Sequence, residues 1–193
     1  MHIYYGLNEV VELKKPVVAV GSFDGVHLGH CRILQHLHDA AQRMGGHSVV
    51  VTFDPHPQAV LHPESDFFII NSLQDNLQRI ETQNIDAVVV LPFTKAFSEL
   101  SYTEFLEQYI IGKLHAAMLV MGPNHAIGCH REGNRRKIEE ICAAKGVLVE
   151  ELPEMLVHEA AVRSANIRKL IQSEDWSRVD EMLGYHYVNP LKK

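Results

Sequence analysis

Two histidines three residues apart, His27 and His30, close the stretch Val17 to His30, VVAVGSFDGVHLGH. A short β-branched run leads into it, and Gly21 and Gly25 punctuate the turn between, where side chains would resist the backbone conformations needed. A helix then starts near Leu28. Helix N-termini fed by glycine-rich turns present free N–H groups and a positive dipole end, which suits a phosphate, and two imidazoles beside it add donors. The chemistry indicated is phosphate binding. The bland alternative is that both histidines make ordinary capping bonds. A second polar cluster, Asp54 and His56 in TFDPHP, either joins a site or locks a proline-rich turn through side-chain to backbone bonds. Arg131, Arg135, Arg136 and Lys137 form either a phosphate patch or the solvated face of a helix. The 13 histidines include no pair at zincin spacing, so no transition metal is expected.

The elements that must position these groups alternate between strand and helix. Val17 to Gly21 is a buried strand, and Ile33, Leu34, Leu37, Ala41 and Met44 recur at helical spacing until Gly45 and Gly46 close that helix. His47 to Phe53 is a second strand. The DPHP after it is a fixed loop, since its prolines remove ladder donors. Leu73, Leu77 and Ile80 mark a helix over residues 72–81, and Asp86 to Leu91 is a third strand ended by Pro92. Ser101 and Glu104 form a capping-box signature before a helix reaching Lys113. Ala117 to Gly122 is a fourth strand. A helix from about Arg135 to Lys145 precedes a fifth, Val147 to Glu151. Strands separated by helices imply a Rossmann-like α/β fold, a parallel sheet with helices on both faces. In such sheets ligands lie beyond the carboxyl ends of the strands, so GSFDGVHLGH, DPHP, FTKAF and GPNHAIGCHREG should converge.

Composition narrows the partners. With 193 residues, 46% apolar and 22% charged, the chain reads as one globular domain, residues 1–193. A net charge of −6 argues against a broad nucleic-acid footprint, so a polyanion must be held by a local cluster. Cys31, Cys129 and Cys142 are odd in number and lack metal spacing, which fits a reducing cytoplasm. No stretch approaches the ~18 apolar residues that span a bilayer, and the N-terminus lacks a signal-peptide core.

GSFDGVHLGH resembles the first motif of the HxGH nucleotidyltransferase superfamily. With TFDPHP, it resembles more narrowly the adenylyltransferase module of bacterial FAD synthetase, the bifunctional riboflavin kinase/FMN adenylyltransferase family. FTKAFSELSYTEFL (Phe93 to Leu106), GPNHAIG (Gly122 to Gly128), VRSANIRKLI and LGYHY are similar to later motifs of that family, in the same order. The resemblance implies the nucleotidyltransferase fold, with ATP and FMN as substrates, Mg²⁺ arriving with ATP, and FAD and pyrophosphate as products. It implies that Gly21, Ser22, Phe23, Asp24, Gly25, His27, His30, Ser164 and Arg168 bind ATP. His27, His30 and Arg168 would act on the transferring and leaving phosphates. Asp54, His56, Pro57 and Asn124 would fall on the FMN side.

The sequence departs from the family in places. Arg163 and Ala165 stand where hydroxyl residues are usual, Ile127 replaces an aromatic, and Asp75 and Asn76 replace a common Glu-Lys pair. The family's bifunctional members continue into a riboflavin kinase module whereas this sequence stops at Lys193, so it reads either as a stand-alone adenylyltransferase or as a cut chain, and riboflavin itself is not expected to be phosphorylated or adenylylated. Two alternatives stay open: a sibling enzyme with another phosphorylated acceptor, such as pantetheine phosphate or nicotinate mononucleotide, and a nucleotide- or flavin-binding homologue without turnover.

Overall fold

The computed structural model describes residues 1–123 and 135–188. Its centre is a six-stranded, wholly parallel sheet built from β1 (His2–Tyr5), β2 (Val17–Val20), β3 (Ser48–Asp54), β4 (Ala87–Pro92), β5 (Met118–Met121) and β6 (Leu148–Glu151). The strand order is β1-β4-β3-β2-β5-β6. All four residues of β2 are buried, as are Val49, Val50, Val51 and the run Ala87 to Leu91, as expected of strands covered on both faces.

The two-residue period of the strands sorts the core into two layers. Val18, Val20, Val49, Val51, Val89 and Leu91 pack with Phe105, Leu106, Ile110, Ile138 and Cys142. Val17, Ala19, Val50, Val88 and Val90 face the other way, onto Leu34, Leu37 and Ala41 of α1 (Leu28–Met44) and Leu77 and Ile80 of α3 (Leu73–Glu81). Helices therefore cover both faces of a Rossmann-like sheet. Gly45 ends α1 at φ 59°, a left-handed cap as the sequence predicts.

A third cluster joins α7 (Ser164–Gln172) and α8 (Trp176–Leu183) through Ile167, Ile171, Val179, Met182 and Leu183, with Ile70 and Val162 at its edge. A short hairpin, β7 (Leu156–Val157) and β8 (Ala160–Ala161), leads into α7.

Three local expectations need correction. The sheet has a sixth strand, β1, which the sequence reading did not assign; it pairs with β4 at the edge and presents exposed His2, Ile3 and Tyr5. DPHP is not wholly loop: β3 continues to Asp54, opposite Pro92, and Pro57 opens the short helix α2 (Pro57–Leu61) with His56 as its N-cap. Two more short helices follow, α4 (Lys95–Ser98) and α5 (Tyr102–Glu104), and the predicted capping box of Ser101 and Glu104 is formed. Beyond it, however, residues Phe105–Lys113 wind as a π-helix whose wide turn is continued by Leu114 N–H donating to Tyr109 O at 3.1 Å. A Cβ at Gly112 would lie 2.6 Å from the Glu107 carbonyl oxygen, so glycine fits where the turn widens. The remaining helix, α6 (Arg135–Ala144), matches its predicted range.

Candidate active site

The sheet reverses its winding at β2: β3 lies on one side and β5 on the other. A crevice opens at the carboxyl ends of strands flanking such a switch point, and the turn from Gly21 to His27 sits there. Three of its residues take left-handed backbone angles, Phe23 at φ 46°, Gly25 at 83° and Val26 at 35°. For Phe23, and more so for β-branched Val26, this is strained, about 1–3 kcal/mol each, and persists only if the surroundings over-determine it.

They do so mainly through Asp24. This residue is 2% exposed, and its carboxylate accepts from Ile70 N–H at 2.9 Å and Asn71 N–H at 3.2 Å, and pairs with the Arg168 guanidinium. Arg168 Nε also donates to the Phe68 carbonyl at 2.8 Å. Ser164, at the start of α7, donates its hydroxyl to the Asp24 carbonyl at 2.9 Å. Gly25 N–H donates to Asn76 Oδ1 at 3.1 Å, and the Ser22 carbonyl accepts from Thr52 Oγ1 at 3.2 Å. Side chains from β3, α3 and α7 thus lock one turn.

The histidines sit on that turn and on the first turn of α1. His27 is the N-cap, its Nδ1 accepting from His30 N–H at 3.2 Å, so its ring proton belongs on Nε2. The two rings stack at 3.7 Å and 12°, and Phe23 packs 5.0 Å from His30. Gly29 permits this, because a Cβ there would come within 3.0 Å of the Val162 carbonyl and 3.1 Å of His27 Nδ1. Burial, with a smaller contribution from the Arg168 charge, lowers the His27 pKa to about 4. Burial and His27 hold His30 well below the ordinary imidazole value. Both rings are neutral at neutral pH and carry one N–H each. His30 Nδ1 is enclosed and has no hydrogen-bond partner among the described residues.

His56 joins the same cluster from the end of β3. Its Nδ1 accepts from Gln58 N–H at 3.1 Å, and its ring stacks 4.7 Å from Phe67, over which the Arg168 guanidinium lies at 4.5 Å. Burial, opposed by Asp24 and assisted by Arg168, lowers its pKa. Exposed Asp54 accepts Phe93 N–H on its carbonyl at 3.1 Å, which ties DPHP to the FTKAF loop. Asn124 and Arg131 lie outside the described residues.

Comparison with known proteins shows the family. The FAD synthetase family model matches residues 10–166. The chain belongs to the FAD synthetase family. It is 28% identical to a bifunctional riboflavin kinase/FMN adenylyltransferase of Buchnera aphidicola subsp. Acyrthosiphon pisum, over 95% of this chain and 59% of that protein. It is 32% identical to the protein of the same name from Bacillus subtilis, over 91% of this chain and 55% of that one. The chain therefore spans somewhat over half the length of these relatives. The fold superposes, at a TM-score of 0.82 and 22% identity, on a crystal structure described as a macrolide-efflux protein from Streptococcus pneumoniae, covering 95% of this chain and 61% of that one.

Within this FAD synthetase fold the structure brings together Gly21 to Gly25, His27, His30, His56, Ser164 and Arg168. It also shows what several of them are bonded to, which the motifs alone do not. Arg168 pairs with buried Asp24 and not with Glu174 or Asp175, and Arg163 turns away to Glu154. Sequence reasoning missed Thr52, Phe67, Asn71 and Tyr185, and saw Asn76 only as a departure. Asn76 carried a readable signal: it falls on the buried stripe of α3 between Leu73, Leu77 and Ile80, where a polar side chain needs a partner. No group of three or more His, Cys, Asp or Glu among the described residues could hold a metal.

Proposed function

We propose that this chain transfers AMP from ATP to FMN, giving FAD and pyrophosphate. The observation that carries the reading is the neutral, stacked His27–His30 pair at the N-terminus of α1, beside a glycine turn at the switch point of the sheet. In the transfer, a phosphate oxygen of FMN attacks the α-phosphorus of ATP in line, a new P–O bond forms, and the bond to the β,γ-pyrophosphate breaks. The nucleophile is already an anion, so no general base is required, and catalysis rests on positioning and on stabilising charge.

The imidazole N–H groups and the free backbone N–H groups of α1 would bind the α-phosphate oxygens as negative charge accumulates there. The named bonds of Arg168 use Nε and Nη2, which leaves Nη1 as a donor for the departing pyrophosphate. Asp24 is committed to Arg168 and two backbone N–H groups, which makes it a poor metal ligand. Mg²⁺ would accordingly arrive as part of the substrate, MgATP, riding on the phosphates. His56, Asp54, Pro57 and Asn124 are the proposed FMN side, with 1–193 acting as a single transferase unit. The test is pyrophosphate release with FMN, pantetheine phosphate or nicotinate mononucleotide as acceptor. FMN alone should saturate the rate; saturation by another acceptor would reassign the substrate.

A further inference from the structure

Tyr185 follows Gly184, the left-handed cap at the end of α8. Its hydroxyl donates to the Gly25 carbonyl at 2.6 Å and accepts from Asn71 Nδ2 at 2.7 Å. Because the amide occupies an acceptor site of the phenol oxygen, the hydroxyl hydrogen is left to point at Gly25. The ring is held from the other side by Arg79, whose guanidinium lies 3.2 Å from the ring centroid. Arg79 stands one turn beyond Asn76 on α3, and Asn76 holds the Gly25 N–H. Both backbone groups of Gly25 are therefore fixed by side chains, from 51 and 160 residues away in the chain.

We infer that Tyr185 is a positioning residue for the proposed transfer, acting through the Gly25 carbonyl to hold the backbone that presents His27 and His30. The peptide it grips joins two residues with left-handed angles, Gly25 at φ 83° and Val26 at 35°, and Val26 leads directly into His27. The N–H of that peptide, on Val26, donates to the Phe23 carbonyl at 3.2 Å, and strained angles of this kind persist only where the surroundings over-determine them. Gly25 cannot be stiffened by a side chain, since a Cβ would meet Ile70 at 3.1 Å and the angle disfavours it. Among the described residues, the hold on that carbonyl is the phenol. Burial keeps the phenol pKa above its ordinary value, so the donor persists through the working pH range.

The assignment rests on the adenylyltransferase reading, and its test is built to fail separately. Tyr185→Phe keeps the ring and the Arg79 stack and removes only the hydroxyl. Its kcat should fall by about tenfold to a hundredfold, as expected for small misplacement of catalytic groups, with KM for ATP and FMN within about twofold. In the same variant, without substrates, the ring-nitrogen NMR resonances of His27 and His30 should shift. Those of His47, bonded to Lys14 N–H at the opposite end of the sheet, should not. An unchanged kcat, a KM effect alone, or a fall in kcat with unmoved His27 and His30 resonances would each overturn the assignment. If the unaltered protein forms no FAD, the functional reading falls by itself and the resonances decide whether Tyr185 sets the histidines. Should Tyr185→Phe not fold, Asn71→Ala must show the same split between kcat and KM in smaller measure, and its absence would also overturn the assignment.

Discussion

Arg168 and Asp24 form a buried ion pair that joins α7 to the glycine turn, their side chains 15% and 3% exposed. Removing one partner leaves the other charge stranded, which typically costs 3–5 kcal/mol, far above the 0–1 kcal/mol of a surface pair. Arg168→Ala should therefore lower unfolding stability by about 3 kcal/mol in a denaturant titration, as well as abolishing turnover. A variant with an unchanged midpoint would show that the pair does not hold the turn.

His27 gives stability its own pH dependence. Its folded pKa of about 4 lies below the unfolded value of 6.5, so between those values the unfolded chain binds a proton that the folded chain refuses. Stability is complete above pH 6.5, falls as pH drops towards 4, and levels off beyond, by about 3 kcal/mol at 1.36 kcal/mol per pKa unit. His30, displaced in the same direction, adds to the loss. Urea midpoints between pH 7.5 and 4 should show the decline. His27→Asn, which retains a cap acceptor, should flatten it; an equally steep decline in that variant would locate the titration elsewhere.

His30→Ala should lower the rate by about 10²–10³ with little change in stability, as for removal of a positioned donor. Gly29→Ala should be nearly as damaging although it removes no functional group, because its methyl would meet the Val162 carbonyl and the His27 ring. Steady-state kinetics with denaturation controls would check both. An active Gly29→Ala would mean that the stacked geometry is not needed.

Arg163 lies at the N-cap of α7, makes no capping bond, and pairs with Glu154 at the surface. Arg163→Ser exchanges that weak pair for a better cap, so stability should stay within about 1 kcal/mol and turnover within a few-fold. A rate loss of a hundredfold would place Arg163 on the substrate after all.

The sheet was legible wherever a strand is buried on both faces: VVAV, AVVVL and MLVM announce themselves by uninterrupted apolar residues, and SVVVTF by its three consecutive valines. β1 was not, because an edge strand of four residues that exposes His2, Ile3 and Tyr5 has neither a long run nor a clear alternation. The π-helical stretch was hidden for another reason: FLEQYIIGK has the apolar content of any buried helix, and the wider turn shows only in backbone geometry, in the Leu114 N–H bond to Tyr109 and the lack of room for a Cβ at Gly112. At the site, the histidines and glycines could be read because their roles are local. The partners of Asp24 could not: Ile70, Asn71 and Arg168 are 46, 47 and 144 residues away. Nothing in the local pattern around FDGVH says which distant donors will take up its carboxylate.

The central claim, adenylyl transfer to a flavin phosphate, is tested most directly by incubating the protein with ATP, Mg²⁺ and either FMN or riboflavin, and separating the flavins by chromatography. The proposed chemistry predicts FAD from FMN with one pyrophosphate released per FAD, and no adenylylated product from riboflavin, which lacks the acceptor phosphate. FMN recovered unchanged with a folded, ATP-binding protein, or adenylylation of riboflavin itself, would contradict it.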